Sequence, residues 1–126
     1  MRVRCTNIVN PATGLPEADS SWLEVGGEYV VASITFTAGR PASLRILARD
    51  LDTPGIWPAG MFVTTDDRIP STWVIRLRDD DVLELGPSTW LAAGFWESYF
   101  NDDDAALAVY QQELRAILDE SLPSSR

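Results

Sequence analysis

A chain of 126 residues, 45% of them apolar, is long enough for one domain with a hydrophobic core and too apolar for a disordered segment. The sequence contains no histidine and no lysine. This excludes Ser-His-Asp and Cys-His catalysis, histidine-based zinc sites, Schiff-base chemistry and the lysine of a phosphate-binding loop. The net charge of −9 repels nucleic acid and anionic membranes and attracts basic partners.

The net charge is confined to the C-terminal part of the chain. Residues 1–78 carry eight acidic residues and eight arginines, whereas residues 79–126 carry eleven acidic residues against Arg115 and Arg126. Such a one-sided charge either keeps a protein soluble or forms a docking surface for a basic partner. Both interpretations stay open at this point.

The cysteine count and the apolar content of the chain indicate in which compartment of the cell the protein works. Cys5 is the only cysteine, so no internal disulfide and no cysteine-based metal cluster can form. The first residues lack the apolar run of a signal peptide, and no stretch approaches the roughly 20 apolar residues of a membrane-spanning helix. We therefore expect a cytoplasmic protein that binds no membrane.

The first half of the chain has the pattern of short strands joined by turns. Val3 and Cys5 alternate with polar residues, which predicts a short strand, and residues 11–21 have the turn residues of a surface loop. Tyr29–Thr37 is rich in β-branched residues and predicts a longer strand. Ser43–Arg49 alternates apolar residues with arginine, which predicts a partner strand exposed on its arginine side.

Three more short strands follow. They are expected at Met61–Thr65, Thr72–Arg78 and Val82–Leu85, because each is bounded by Asp, Gly or Pro turns. Short strands at this spacing predict a small antiparallel β-barrel or bent sheet of about five to six strands. This β-rich part occupies residues 1–86.

The pattern becomes helical in residues 87–122. Ser88 or Thr89 is placed to cap a first helix beginning near Trp90, and Asn101 or Asp102 to cap a second one. The second helix keeps apolar residues on one face, at Leu107, Tyr110, Leu114, Ile117 and Leu118. We expect two C-terminal helices, so that residues 1–126 form a single α+β domain.

The aromatic residues of the first helix have two interpretations. Burial of two adjacent helix faces would make them part of the core, which the pattern favours. Exposure next to acidic residues would instead form an aromatic anchor with a charged rim for a basic protein. On that interpretation the partner-binding residues are Trp96, Glu97, Phe100, Asp102, Asp103 and Asp104, followed by a second acidic run, Asp79, Asp80 and Asp81.

No motif indicates catalysis or a bound metal. Gly55 and Gly60 have the glycine spacing of a phosphate-binding loop, but Met61 and Phe62 stand where Lys and Ser or Thr are required. Asp50 begins a calcium-like loop, yet Met61 also occupies its bidentate glutamate position. We expect a non-enzymatic protein with no cofactor.

Arginines on the predicted strands offer a nucleic-acid surface only if they are not neutralised. These residues are Arg45, Arg49, Arg76 and Arg78. Pairing with the nearby aspartates is the favoured interpretation, and the acidic helical part opposes a polyanion. We therefore expect no nucleic-acid partner.

Several segments carry a resemblance to known proteins. They are Leu23-x-x-Gly26-x-x-Tyr29-Val-Val, Trp57-Pro-Ala-Gly-Met-Phe62, Arg68-Ile-Pro-Ser-Thr-Trp73, and Pro87-Ser-Thr-Trp90 with Gly94-Phe-Trp96. With these segments the chain resembles an SH3-like small barrel and the small bacterial immunity proteins of polymorphic or contact-dependent toxin systems. The resemblance implies a cytoplasmic, non-enzymatic inhibitor that occludes a toxin domain. The alternative is an SH3-like adaptor module of phage or housekeeping origin that binds proteins through Trp57, Phe62 and Trp73.

Overall fold

The computed structural model describes residues 1–9, 15–17, 23–47, 54–78 and 81–121. In chain order, the strands of these residues are β1 (Arg2–Cys5), β2 (Ile8–Val9), β3 (Pro16–Glu17), β4 (Glu28–Thr37), β5 (Ser43–Leu47), β6 (Gly55–Pro58), β7 (Phe62–Asp66), β8 (Trp73–Arg78) and β9 (Val82–Pro87). The helices are α1 (Phe95–Phe100) and α2 (Asp104–Ser121). Strands β2 and β3 pair with each other, and the other seven described strands form one antiparallel sheet.

The ten-residue strand β4 is the centre of the sheet. One of its edges pairs with β5, and the other edge pairs first with β1 and then with β9. The register with β5 shifts between Val31 and Ser33, and an irregularity of this kind bends a strand. Within the described residues the sheet does not close, so the predicted α+β fold is confirmed in its bent-sheet form, with two C-terminal helices.

Two hydrophobic cores lie on opposite faces of β4, because successive side chains of a strand point to opposite sides. Tyr29 and Val31 enter the first, which we call the sheet core, together with Leu44, Ile46 and other strand residues. Val30 and Ala32 enter the second, which we call the helix core. Its other buried members are Leu47, Trp90, Phe95, Tyr99, Ala106, Tyr110, Leu114 and Ile117.

The first helix is shorter than the sequence predicts. Trp90 lies in a turn in which the N–H groups of Trp90 and Leu91 donate to the Pro87 carbonyl oxygen. The helix begins only at Phe95, because Gly94 has a φ of 78°, a left-handed conformation that an α-helix does not contain. Gly94 thus lies immediately before the helix, at its N-cap position.

Two expectations about the strands are also wrong in part. The arginine side of β5 is not exposed, because the helical part covers it: Leu47 is buried and Arg45 is half-buried. Strand β6 was not predicted, since Gly55 and Pro58 both disfavour a strand interior. The expected surface loop 11–21 contains the exposed Leu15 and the short strand β3, and the rest of that loop lies outside the described residues.

Candidate protein-binding site

The aromatic and acidic residues singled out in the sequence meet where α1 turns into α2. The end of α1 has the hydrogen bonds of a Schellman motif: the Asp102 N–H donates to the Tyr99 carbonyl oxygen at 3.1 Å, and the Asp103 N–H donates to that of Ser98 at 3.0 Å. The motif requires a left-handed residue at its turn, and Asp102 has a φ of 60°. The corner is therefore held by its own backbone.

Asp103 ends one helix and starts the next. Its carboxylate oxygen Oδ2 accepts a hydrogen bond of 2.9 Å from the Ala106 N–H, which is the geometry of a helix N-cap. Asp104 is the first residue of α2, where the helix dipole favours a negative charge. The second helix begins within the aspartate run as predicted, but the prediction that Asn101 or Asp102 caps it is wrong, because the capping side chain is that of Asp103.

The carboxylates of this corner remain available to a partner. Glu97, Asp102, Asp103 and Asp104 are all exposed. Within the described residues, the side chains of Glu97, Asp102 and Asp104 form no hydrogen bond and no ion pair. Four carboxylates therefore lie within eight positions of the chain, and among the described residues none of them forms an ion pair.

Phe100 places an apolar ring next to these charges. Its side chain is 52% exposed, whereas Phe95 and Tyr99 on the same helix are buried. The Phe100 ring packs edge-on against Tyr99, with centroids 5.1 Å apart, so its orientation is defined. We call the five residues Glu97, Phe100, Asp102, Asp103 and Asp104 the acidic corner.

Trp96 is held more tightly than a surface anchor. It is half-buried and contacts the rings of several neighbours, among them Phe95 at 5.0 Å and Phe100 at 6.0 Å. The Arg45 guanidinium lies 4.2 Å from the centroid of its ring, in a cation–π contact from β5. Burial lowers the pKa of Arg45 to about 10, so the side chain is still charged at neutral pH. The half-buried Trp96 therefore packs against the exposed Phe100 and holds its ring in place.

The second acidic run is described only in part. Asp81 is exposed and has a φ of 57°, at the hairpin between β8 and β9. Asp79 and Asp80 lie outside the described residues. A role of this run in partner binding stays a prediction.

The arginines of the sheet have partners other than the aspartate runs. Arg78 donates from Nε to the Glu84 carboxylate and from Nη2 to the Leu91 carbonyl oxygen at 2.7 Å. Arg76 lies opposite Glu84 in the β8–β9 register. The Arg45 guanidinium makes the cation–π contact with Trp96, and Arg49 lies outside the described residues.

The aromatic residues of the alternative binding surface belong to the sheet core. Phe62 and Trp73 are 9% and 8% exposed, and Trp57 is half-buried against the same core. Rings packed inward in this way present little surface to a ligand peptide. The described part of the chain therefore gives no support to an aromatic groove formed by these three residues.

A groove lies next to the acidic corner. A groove of about 380 Å³ next to α1 is lined by Glu84 and Glu97, but Glu84 is engaged by Arg78. Among the described residues, no three Cys, Asp or Glu side chains are grouped to hold a metal ion. No helix in the described part of the chain is both long enough and apolar enough to cross a membrane.

Comparison with protein-family models, with curated proteins and with solved structures finds no match to this chain. The assignment of a function therefore depends on the geometry of the acidic corner. Two of its features were not evident from the sequence. The first is the Schellman motif, which lacks its usual glycine. The second is the packing of Trp96 against Phe100. Both require knowledge of where α1 begins and ends.

Proposed function

We propose that this chain is a non-enzymatic inhibitor that binds a basic protein through the acidic corner, as an immunity protein binds its toxin. The observation that carries the proposal is the exposed ring of Phe100 next to four exposed carboxylates on a rigid turn. A central aromatic with a charged rim is the arrangement that protein interfaces use for affinity and for orientation.

The backbone of Asp102 supports a functional role for its carboxylate. A non-glycine residue in the left-handed region is unfavourable by about 1–2 kcal/mol, and glycine is the usual residue at this position of a Schellman motif. Asp102 nevertheless occupies it with a free, exposed carboxylate. Local strain of this kind concentrates at functional sites, where the side chain has a use beyond the fold.

The charge distribution explains how such a protein would find its partner. Unpaired carboxylates at the corner add to the field of an acidic C-terminal part, which steers a basic surface toward Phe100. Electrostatic steering acts mainly on the association rate, and salt screens it over a Debye length of about 10 Å at 0.1 M. Inhibition then follows from occlusion of the basic, substrate-binding surface of the toxin domain.

The test is to co-express the chain with the product of the adjoining reading frame, purify the complex and measure association and dissociation rates at increasing salt. The decisive variant replaces Asp102, Asp103 and Asp104 by Asn. Asn tolerates a left-handed φ and caps helices as well as Asp, so the variant removes charge and keeps the backbone. We expect an association rate at low salt that falls about tenfold or more.

Two further variants complete the test. Asp119→Asn is the matched control, since Asp119 is an exposed acid on α2 away from the corner, and its effect on the rate should be small. Phe100→Ala should increase the dissociation rate, as expected for an anchor worth about 1–2 kcal/mol. If the triple Asn variant and Phe100→Ala both leave the rates of a bound partner unchanged, the acidic corner is not the binding site.

The inhibitory step has its own readout. Expression of the partner alone should arrest growth, and co-expression of the wild-type chain should restore it. The triple Asn variant should restore growth less well at equal expression. A partner that binds the corner but is harmless when expressed alone would favour an adaptor over an inhibitor.

A further inference from the structure

Polar side chains from three strands meet on the face of the sheet that carries the helix core. One cross-strand row contains Ser43, Thr35 and Glu84, which lie directly opposite one another on β5, β4 and β9. A second row contains Arg45 and Ser33, which lie opposite each other on β5 and β4. All five residues line one depression of about 50 Å³.

The depression adjoins the groove of about 380 Å³ next to α1. Three residues line both of them, namely Glu84 on β9, Leu91 in the turn before α1 and Trp96 on α1. We call the depression and the groove together the polar cleft. Small-molecule sites in proteins have volumes of about 300–1,000 Å³, so the cleft is large enough to hold a ligand.

Hydroxyl groups in the cleft have no partner within the protein. Those of Ser33, Thr35 and Ser43 form no hydrogen bond with any described residue. Ser33 is only 6% exposed, and a buried hydroxyl is unfavourable unless something satisfies it. Elsewhere this face of β4 and β5 carries apolar residues of the helix core, at Ala32 and Leu47. The fold thus places unpaired hydroxyls where its own packing uses apolar side chains.

Charged side chains of both signs line the cleft. Among the described residues Arg45 makes one hydrogen bond, from Nη1 to the Pro54 carbonyl oxygen at 3.3 Å, so other N–H groups of its guanidinium are available. Arg78 engages Oε1 of Glu84 and leaves Oε2 as an acceptor. With Glu97 in the groove, the lining has two positive and two negative groups. A cation or an anion would be repelled by part of this lining, whereas a neutral ligand would not.

We propose that the polar cleft binds a neutral, hydroxyl-rich ligand of the size of a hexose, either as a free sugar or as the terminal residue of a glycan. A sugar hydroxyl both donates and accepts hydrogen bonds, so one ligand satisfies the unpaired hydroxyls, the Arg45 guanidinium and the Glu84 carboxylate together. The C–H groups of the sugar ring match the apolar side chains of Leu91 and Trp96. The ring lies in the groove, and one of its hydroxyl groups enters the depression.

The experiment titrates four sugars into the ¹⁵N-labelled full chain and follows them by NMR. The probes are D-glucose, D-galactose, D-mannose and N-acetyl-D-glucosamine. At least one of them should bind in the millimolar range, as expected for a ligand of about 12–15 non-hydrogen atoms. Binding should shift the amide signals of Thr35 and Glu84. It should also shift the indole N–H signal of Trp90, which lines the groove and whose Nε1 has no hydrogen-bond partner among the described residues.

Methyl glycosides distinguish the two sources of the sugar. If the methyl glycoside binds as tightly as the free sugar, the ligand is the terminal residue of a glycan, because the linkage position is then open to solvent. If only the free sugar binds, the ligand is the monosaccharide itself. Either result supports the cleft as a sugar site.

Substitution of the hydroxyls tests the site directly. Thr35→Val keeps the shape of the half-buried side chain and should weaken sugar binding about tenfold, as the loss of a hydrogen bond does in a closed site. Ser33→Ala should have a similar effect without lowering the free energy of unfolding, because its hydroxyl has no described partner to lose. Thr37→Val is the matched control on the same strand. Thr37 does not line the cleft, so this variant should bind as the wild type does.

Charged analogues test the neutrality of the ligand. The amino sugar and the uronic acid that correspond to the bound sugar keep its ring and carry a positive and a negative charge. Both should bind at least about tenfold more weakly than the neutral sugar, because each places a like charge beside an arginine or a glutamate of the cleft.

Three results would overturn the proposal. They are the absence of shifts in the cleft with all four sugars, equal affinities of Thr35→Val and Thr37→Val, and tighter binding of a charged analogue than of the neutral sugar. The proposal is independent of the proposed inhibitor function. The triple Asn variant of Asp102, Asp103 and Asp104 should bind the sugar as the wild type does, because none of these residues lines the cleft.

Discussion

Two faces of the same β-sheet differ in what covers them. On the helix side, Trp90 and Tyr110 stack at 5.0 Å and are almost completely buried over Ala32 and Leu47. On the other side, the rows that contain Ile75 and Leu77 are equally apolar and reach solvent. The comparison teaches that alternation along a strand specifies which residues share a face, while the path of the rest of the chain decides whether that face is buried.

The comparison also shows that an apolar side chain stabilises the fold only where it is buried. Burying an aromatic side chain removes a large apolar area from water, at about 25 cal/mol per Å², so the helix core stabilises the fold. Side chains such as Ile75 and Leu77 contribute little to stability, because they stay in contact with solvent in the folded chain. Substitutions of equal chemistry on the two faces should therefore differ strongly in their effect on the free energy of unfolding.

The largest effect is expected in the helix core. Trp90→Ala removes a ring that is 1% exposed and contacts both Trp96 and Tyr110. We expect a loss of about 3–5 kcal/mol in the free energy of unfolding, measured by urea denaturation. Phe100→Ala is the matched control in the same aromatic cluster, and because this ring is half-exposed its loss should be less than half as large. Equal losses would contradict the burial described for Trp90.

A smaller loss is expected where β9 approaches the bend of β4. A Cβ atom on Gly86 would lie 2.8 Å from the Ser33 Cβ and 3.3 Å from the Leu91 Cδ2. Gly86→Ala should therefore destabilise the fold by about 1–3 kcal/mol in the same assay, as overpacking does. Gly60→Ala is the control, because no atom lies within 4 Å of its added Cβ. Similar midpoints for the two variants would show that this approach is looser than described.

A gain in stability is expected at the acidic corner. Asp102→Gly relieves the left-handed φ of 60° and should raise the free energy of unfolding by about 0.5–1 kcal/mol. The same change at Asp104, the first residue of α2, should lower it, since glycine disfavours a helix. If Asp102→Gly stabilises the fold and slows association with a partner, the carboxylate serves binding at the expense of stability.

The smallest effect is expected at Leu77, on the exposed part of β8. Leu77→Ala removes an apolar side chain that is 80% exposed, and exposed substitutions usually change stability by less than about 0.5 kcal/mol. The measurement is urea denaturation, as for Trp90→Ala. A loss comparable with that of Trp90→Ala would mean that Leu77 is covered within one chain.

The sequence alone determined much of the architecture. The β-branched residues of Tyr29–Thr37 and the alternation in Ser43–Arg49 predicted the paired strands β4 and β5, and the spacing of Tyr110, Leu114 and Ile117 predicted the buried face of α2. The aspartate run predicted the start of α2, because capping and the helix dipole act within one turn. These features depend on neighbours in the chain, which a sequence pattern records directly.

Other features were decided by the tertiary structure. The late start of α1 at Phe95, the burial of the arginine side of β5 and the exposure of Ile75 and Leu77 all depend on which segment crosses which face of the sheet. Phe95 and Phe100 have the same chemistry and lie on one helix, yet one is in the core and the other is at the acidic corner. Helical periodicity puts the two rings on different faces of α1. Which of these faces is buried was decided by the packing of α1 against α2 and the sheet, and those contacts join residues that are far apart in the sequence.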